Sequence, residues 1–181
     1  MNQLRRGVAV IALAVGAGGC AVSSSLTAGP AVTTSGHPGT EVRGSLAAAA
    51  GQKSFRAFLG LSAGAGYLGD LQSGHAVVSP EVGLEGGREI QWSGSTFYSP
   101  RIPFQGEVGV VHGWGAAGHV LFRVARTGGE AGSFLLGPRL SAEAMIVDSS
   151  TPEGQRGVGL FELGLVLRWV MFDTTGNSWT R

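Results

Sequence analysis

Phe161-Glu162-Leu163-Gly164-Leu165-Val166-Leu167-Arg168-Trp169-Val170-Met171 is the stretch on which the fold turns. Side chains of an extended strand alternate between its two faces. Phe161, Leu163, Leu165, Leu167, Trp169 and Met171 therefore share one face, and Glu162, Gly164, Val166, Arg168 and Val170 share the other. The first face is apolar throughout, while the second mixes small residues with both signs of charge.

The pattern repeats upstream. Phe134, Leu136, Pro138, Leu140, Ala142, Ala144 and Ile146 oppose a face that carries Ser133, Arg139, Ser141 and Glu143. His119 and Arg123 alternate with Val120, Phe122 and Val124, and Glu81 faces away from Val82 and Leu84. Clusters of Gly, Pro, Ser and Asp separate these runs and no helical period is sustained, so the spacing predicts an all-β domain. The predicted strands cover 41–50, 54–68, 74–86, 89–98, 101–114, 117–127, 132–147 and 156–172.

Strands in soluble sheets usually run five or six residues, whereas a tilted strand needs about 9–11 to cross hydrocarbon. Length and pattern together predict an antiparallel up-and-down β-barrel of about eight strands with a polar, charged interior and an apolar exterior. Glu81, Glu107, Glu143 and Glu162 are then expected to pair inside with Arg56, Arg123, Arg139 and Arg168, with Glu41 and Arg43 on the same polar faces. An eight-strand barrel is narrow enough for its own side chains to fill, so no open pore is expected. Trp92, Tyr98, Phe104, Trp114, Phe134, Trp169 and Phe172 fall near strand ends, where interfacial girdles would sit. Period two alone also fits a soluble β-sandwich or barrel with the apolar face as its core.

The segment Glu162-Leu163-Gly164-Leu165-Val166-Leu167-Arg168-Trp169 resembles the terminal-strand signal of small Gram-negative outer-membrane β-barrels. That resemblance implies recognition by the barrel-assembly machinery and residence in the outer membrane. In that setting both chain ends lie on the periplasmic side, 127–130 is a periplasmic turn and 148–155 an outward loop.

The first twenty residues carry a separate signal. Arg5 and Arg6 precede an uncharged run from Gly7 to Gly19, which matches an export leader and is too short to span a bilayer. Its end, Ala17-Gly18-Gly19-Cys20, resembles the lipobox of bacterial lipoproteins, which implies diacylglyceryl modification of Cys20. By the same resemblance, Ala21 after the cysteine points to the outer membrane. Cys20 is the single cysteine, which excludes an internal disulfide. The expected organisation is a signal peptide over 1–19, a lipidated flexible tether over 20–39, the barrel over 40–173 and a polar tail over 174–181. An acyl anchor beside a spanning barrel duplicates attachment, so either the lipid serves sorting or orientation, or one of the two signals is misread.

Composition excludes other classes. Thirteen basic and twelve acidic residues leave no basic stripe for nucleic acid. Thirty-two glycines follow no collagen period, and the Gly-rich segments lack a phosphate-loop context. His112 and His119 flank Gly113 to Gly118 and would meet across a hairpin there, but no Cys or nearby carboxylate completes a zinc set. Ser79, His119, Ser141 and Glu143 supply hydroxyl, imidazole and carboxylate without a recognisable catalytic motif. No cofactor, metal or catalytic residue is assigned. The expected role is a noncatalytic outer-membrane protein, structural or a subunit of an envelope assembly, with outer-membrane lipid and other envelope proteins as partners. A periplasm-facing soluble β lipoprotein binding an apolar ligand or protein, and an outer-membrane lipid-modifying enzyme, are the alternatives.

Overall fold

In a computed structural model of the chain, the residues described are 19–52, 54–87, 90–105, 109–126, 132–148 and 155–173. Their strands are β1 (Gly19–Thr33), β2 (Pro38–Gln52), β3 (Phe55–Leu68), β4 (Ser73–Gly86), β5 (Ile90–Tyr98), β6 (Arg101–Pro103), β7 (His112–Arg126), β8 (Ser133–Asp148) and β9 (Gln155–Asp173). Hydrogen-bonded neighbours run β3-β2-β1-β9-β8-β7-β5-β4, and β3 pairs with β4, which closes the sheet on itself. All pairings are antiparallel. β5 and β6 both pair with β4 and form one stave interrupted at Ser99 and Pro100, so the molecule is a closed eight-stave up-and-down barrel.

The expected tether is instead the first stave. β1 pairs along its length with β2, from Gly19↔Gly51 to Val32↔Pro38, and with β9, from Ala21↔Asp173 to Thr33↔Leu160. Val22, Leu26 and Val32 point outward and are exposed, whereas Ala21, Thr27, Ala31 and Thr33 are buried. Ser23, Ser25, Thr27 and Thr33, which read as linker composition, are small polar groups on inward positions, and Ser25 and Ser45 share a hydrogen bond of 2.6 Å. The turn after β1 relies on Gly36, whose φ of 80° suits glycine. Of the signal peptide expected over 1–19, Gly19 opens β1 and residues 1–18 lie outside the described residues, as does the tail expected over 174–181.

A second correction concerns 101–127. Gly113 to Gly118 is no hairpin: β7 runs unbroken from His112 to Arg126 and pairs with β5 on one side and β8 on the other. The chain reverses before β7, in the segment that follows β6. One expected hairpin is lost and one unexpected stave gained, so the count of eight and the alternation of ends are unchanged. Gly19, Asp173 and the β7-to-β8 connection therefore share one end, and the β8-to-β9 connection lies at the other; both connecting loops fall outside the described residues.

The faces sort as the last strand predicts. Phe161, Leu163, Leu165, Leu167 and Trp169 are 40–55% exposed, whereas Glu162 and Arg168 are 5% and 6% exposed inside the barrel. Aromatic side chains gather at both ends of the outer wall. Phe55 meets Trp92 and Phe134 meets Trp169 at the end that holds Gly19 and Asp173, with ring centroids 6.2 and 6.1 Å apart. Tyr98, His112 and Trp114 cluster toward the other end, where Tyr98 Oη lies 2.5 Å from His112 Nδ1.

Candidate functional site

The lumen is built in tiers. Leu68, Leu71, Val111, Met145, Val147, Val158 and Leu160 pack together as an apolar plug at the end away from the termini. Leu71 belongs to the turn between β3 and β4, whose backbone is held by Leu71 N–H donating to Leu68 O and Gln72 N–H to Gly69 O. Beside it, Asp70 has a side chain only 1% exposed, 2.7 Å from Arg156 Nη2 and 3.2 Å from His37 Nδ1. Burial pushes its carboxyl up, but hydrogen bonds from Thr33, His37 and Ser35 and the charge of His37 outweigh this and hold it below its ordinary value. One aspartate thus ties together three segments at the mouth.

Below the plug lies the densest charge cluster. Arg101 is fully buried; its guanidinium grips Glu143 through Nη1, and through Nη2 at 2.8 Å, and reaches Glu41 Oε2 at 3.2 Å. Glu41 is also held by Arg43, and Arg43 Nη1 donates to Ser79 Oγ at 3.1 Å. His75 sits 3.6 Å from Glu41, and Ser99 donates to Glu143. Two carboxylates against two guanidiniums make this cluster neutral, as a low-dielectric interior demands. Gly113 leaves the room it needs, because a Cβ there would run into the Glu143 carboxylate and come within 2.7 Å of Ser99 Oγ.

At mid-barrel, Phe97 lies between two cations, with Arg43 and Arg139 5.7 and 6.0 Å from its ring centroid. Glu81 accepts from Ser95, and Glu162 accepts from Ser141 at 3.2 Å. The enclosed space bordered by Ser25, Ser45, Glu81, His119, Arg139 and Arg168 is about 20 Å³, room for about one water. Near the terminal end Glu85 accepts from Arg56 at 2.9 Å, Arg168 at 2.8 Å and Gln91 at 3.0 Å.

Seven of the eight expected interior charges lie among the described residues, where they take inward positions but do not form one network. Glu143, Glu162, Arg56 and Arg168 are buried, and Glu81, Arg123 and Arg139 are half-buried on inward positions. Glu107 lies outside the described residues. Arg56 and Arg168 pair with Glu85, and Glu143 pairs with Arg101; neither partner was among the expected members. Glu85 shares a strand face with Glu81 at spacing four, a signal available by extending the alternation. Arg101 follows Pro100 at a break in a stave, where alternation is unreadable.

Catalytic types are placed apart in function. His119 lies within 2.9 Å of Ser93 Oγ, Ser141 serves Glu162, Ser79 serves Arg43 and Glu143 serves Arg101. Ser141 is a diagonal neighbour of His119, since Ala117↔Ser141 and His119↔Arg139 are paired. His112 and His119 stand on one strand, facing outward and inward respectively, so they form no pair; among the described residues no group of three metal-ligating side chains converges.

No protein-family model and no curated protein matches the chain. Among solved structures, it is similar to Neisserial surface protein A, at 12% identity and a TM-score of 0.54, over 86% of this chain and 99% of that one. It also aligns with the outer membrane protein OprG from Pseudomonas aeruginosa, at 12% identity and a TM-score of 0.45, over 84% and 96% of the two chains. At this identity the first likeness is one of fold, and the fold it shares is the small closed β-barrel.

Proposed function

We propose that the protein is a noncatalytic outer-membrane β-barrel of a Gram-negative envelope, structural or a subunit of an envelope assembly. The observation that carries this reading is the inverted polarity of the barrel: leucines such as Leu46, Leu59 and Leu163 stand 55–67% exposed on the outside while Arg101 and Glu41 are sealed inside. Water would disfavour that wall by about 25 cal/mol for every Å² of apolar surface left wet, and hydrocarbon removes the cost. His119 is engaged by Ser93, Ser141 by Glu162 and Glu143 by Arg101, and the enclosed space beside His119 holds about one water, which supports a noncatalytic role. The protein should fractionate with outer membranes, require detergent, and migrate as a compact band on gels until boiled. A chain that remains monomeric and folded in detergent-free buffer would refute the reading.

Acylation at Cys20 belongs to the same proposal. Cys20 is exposed on β1 at the rim that holds Gly19 and Asp173, so a diacylglyceryl group there would lie directly against the wall with no intervening tether. Labelled palmitate should enter the wild-type chain and not Cys20→Ser, and equal incorporation into both would refute it.

A further inference from the structure

Between β4 and the β5–β6 stave a proline on each strand interrupts the same ladder. Pairing runs from His75↔Pro103 to Val77↔Arg101, and resumes at Glu81↔Phe97 in the same register. Between them Val78, Ser79 and Pro80 stand opposite Pro100, Ser99 and Tyr98 without ladder pairing. Ser99 N–H donates to Gly113 O at 2.9 Å, toward β7, so Tyr98 and Pro100 present their backbone groups toward β4. Val78 N–H does reach Pro100 O, at 3.4 Å. The reciprocal bonds fail, because the nitrogens that would donate to Tyr98 O and Val78 O belong to Pro80 and Pro100 and carry no hydrogen. Within hydrocarbon a carbonyl without a donor is costly.

The outer face of this seam opens into a groove of about 610 Å³ lined by Leu59, Pro80, Val82, Thr96, Tyr98 and Trp114. A second outer groove, beside Pro30, differs in one respect that matters. The β1–β9 ladder skips residues 29 and 30 there, but Pro30 is the single proline on that seam, so one ladder donor is missing where the β4/β5 seam lacks two.

We propose that the β4/β5 seam is a binding site for a single-chain membrane amphiphile, whose polar group donates hydrogen bonds to Tyr98 O and Val78 O while its hydrocarbon lies along Leu59, Val82 and Trp114. An ester-linked acyl chain has no such donor, so the site prefers a long-chain alcohol, amide or protonated acid to ordinary surrounding lipid. The inference rests on the membrane reading above, and the experiment separates the two. The full chain is refolded into phosphatidylcholine vesicles, and folding is checked by the heat-dependent gel shift. A hexadecanol bearing a diazirine in its chain is then photoactivated and the labelled peptides are mapped. Label on Leu59, Val82 and Trp114 should exceed that on Leu26 and Leu46, where the β1–β2 ladder is continuous, by at least about fivefold. The methyl ether of the same probe should lose that excess, as should Pro80→Val combined with Pro100→Val, which restores both donors. Even labelling of the two walls, or equal labelling by alcohol and ether, overturns the site while leaving the membrane reading intact. If the double variant does not fold, the alcohol-to-ether comparison on the unmodified chain decides. Failure of the unmodified chain to insert at all overturns both.

Discussion

Replacing Arg101 by methionine removes one cation from a cluster in which Glu41 and Glu143 face Arg43 and Arg101, and changes its net charge from zero to minus one. Glu143 then loses both of its Arg101 contacts, and Glu41 loses the one at 3.2 Å, in a lumen where neither carboxylate sees solvent. Breaking a buried pair by deleting one partner costs about 3–5 kcal/mol, far above the ~0–1 kcal/mol of an exposed pair. The folded-to-unfolded ratio should fall by roughly 150-fold to several thousandfold, at about 1.4 kcal/mol per factor of ten. Urea titration of the vesicle-inserted barrel, read by tryptophan fluorescence and by the gel shift, measures the change. The companion variant Arg101→Met with Glu143→Gln returns the cluster to neutrality through Glu41 and Arg43, and should recover more than half of the loss. A single-variant cost below about 1 kcal/mol, or no recovery in the double variant, would refute the electrostatic account of this tier.

Other expectations follow from the same geometry. Glu85→Gln removes the negative charge that Arg56 and Arg168 share, turns one of its two acceptor oxygens into a donor and leaves two guanidiniums without a counter-ion, so it should cost about 3 kcal/mol or more in the same titration, whereas Glu85→Asp should cost less. Gly113→Ala should displace the Glu143 carboxylate and lower the urea midpoint, while Gly44→Ala, where a Cβ meets nothing within 4 Å, should leave it unchanged. Asp70 has a folded-state pKa below its ordinary 3.8, so the stability it contributes is present above that value and is lost as pH falls through the lower, folded value. Limited proteolysis at the loop end should therefore accelerate in acid for the wild type and be fast and pH-insensitive in Asp70→Asn. Truncation of residues 1–39 should abolish the compact band because it deletes β1, while truncation of 1–18 should retain it; a compact band from the shorter chain would restore the tether reading.

How much of this was readable depended on whether polarity alternated strongly enough to be seen. In β9 every second residue from Phe161 to Trp169 is large and apolar, so both the strand and its lipid-like face were evident. In β1 the outward positions include Ser24, Ala28 and Pro30 and the inward ones are Ser, Thr, Ala and Gly, which leaves the same alternation with almost no amplitude. Glycine misled in β7, where Gly113, Gly115 and Gly118 mark close packing against Phe97, Glu143 and neighbouring backbone and not a reversal. The membership of the charge clusters was legible only as a set of inward residues. Which carboxylate meets which guanidinium depends on stagger around the barrel, and that brings Arg101 to Glu41 across 60 positions of sequence and Arg168 to Glu85 across 83.

The position of β1 between β2 and β9 also governs the order in which the molecule can be made. Every other contact between neighbouring staves joins segments adjacent in the chain, but the β1–β9 seam unites residues such as Ala21 and Asp173. Until β9 is in place, β1 and the newest strand are both unpaired edges, and edges of that kind template aggregation. Closure is the most non-local step and so the slowest to find. A chain stalled one stave short would therefore be a sticky, protease-sensitive sheet, and the interval before closure is when the molecule is most exposed to aggregation.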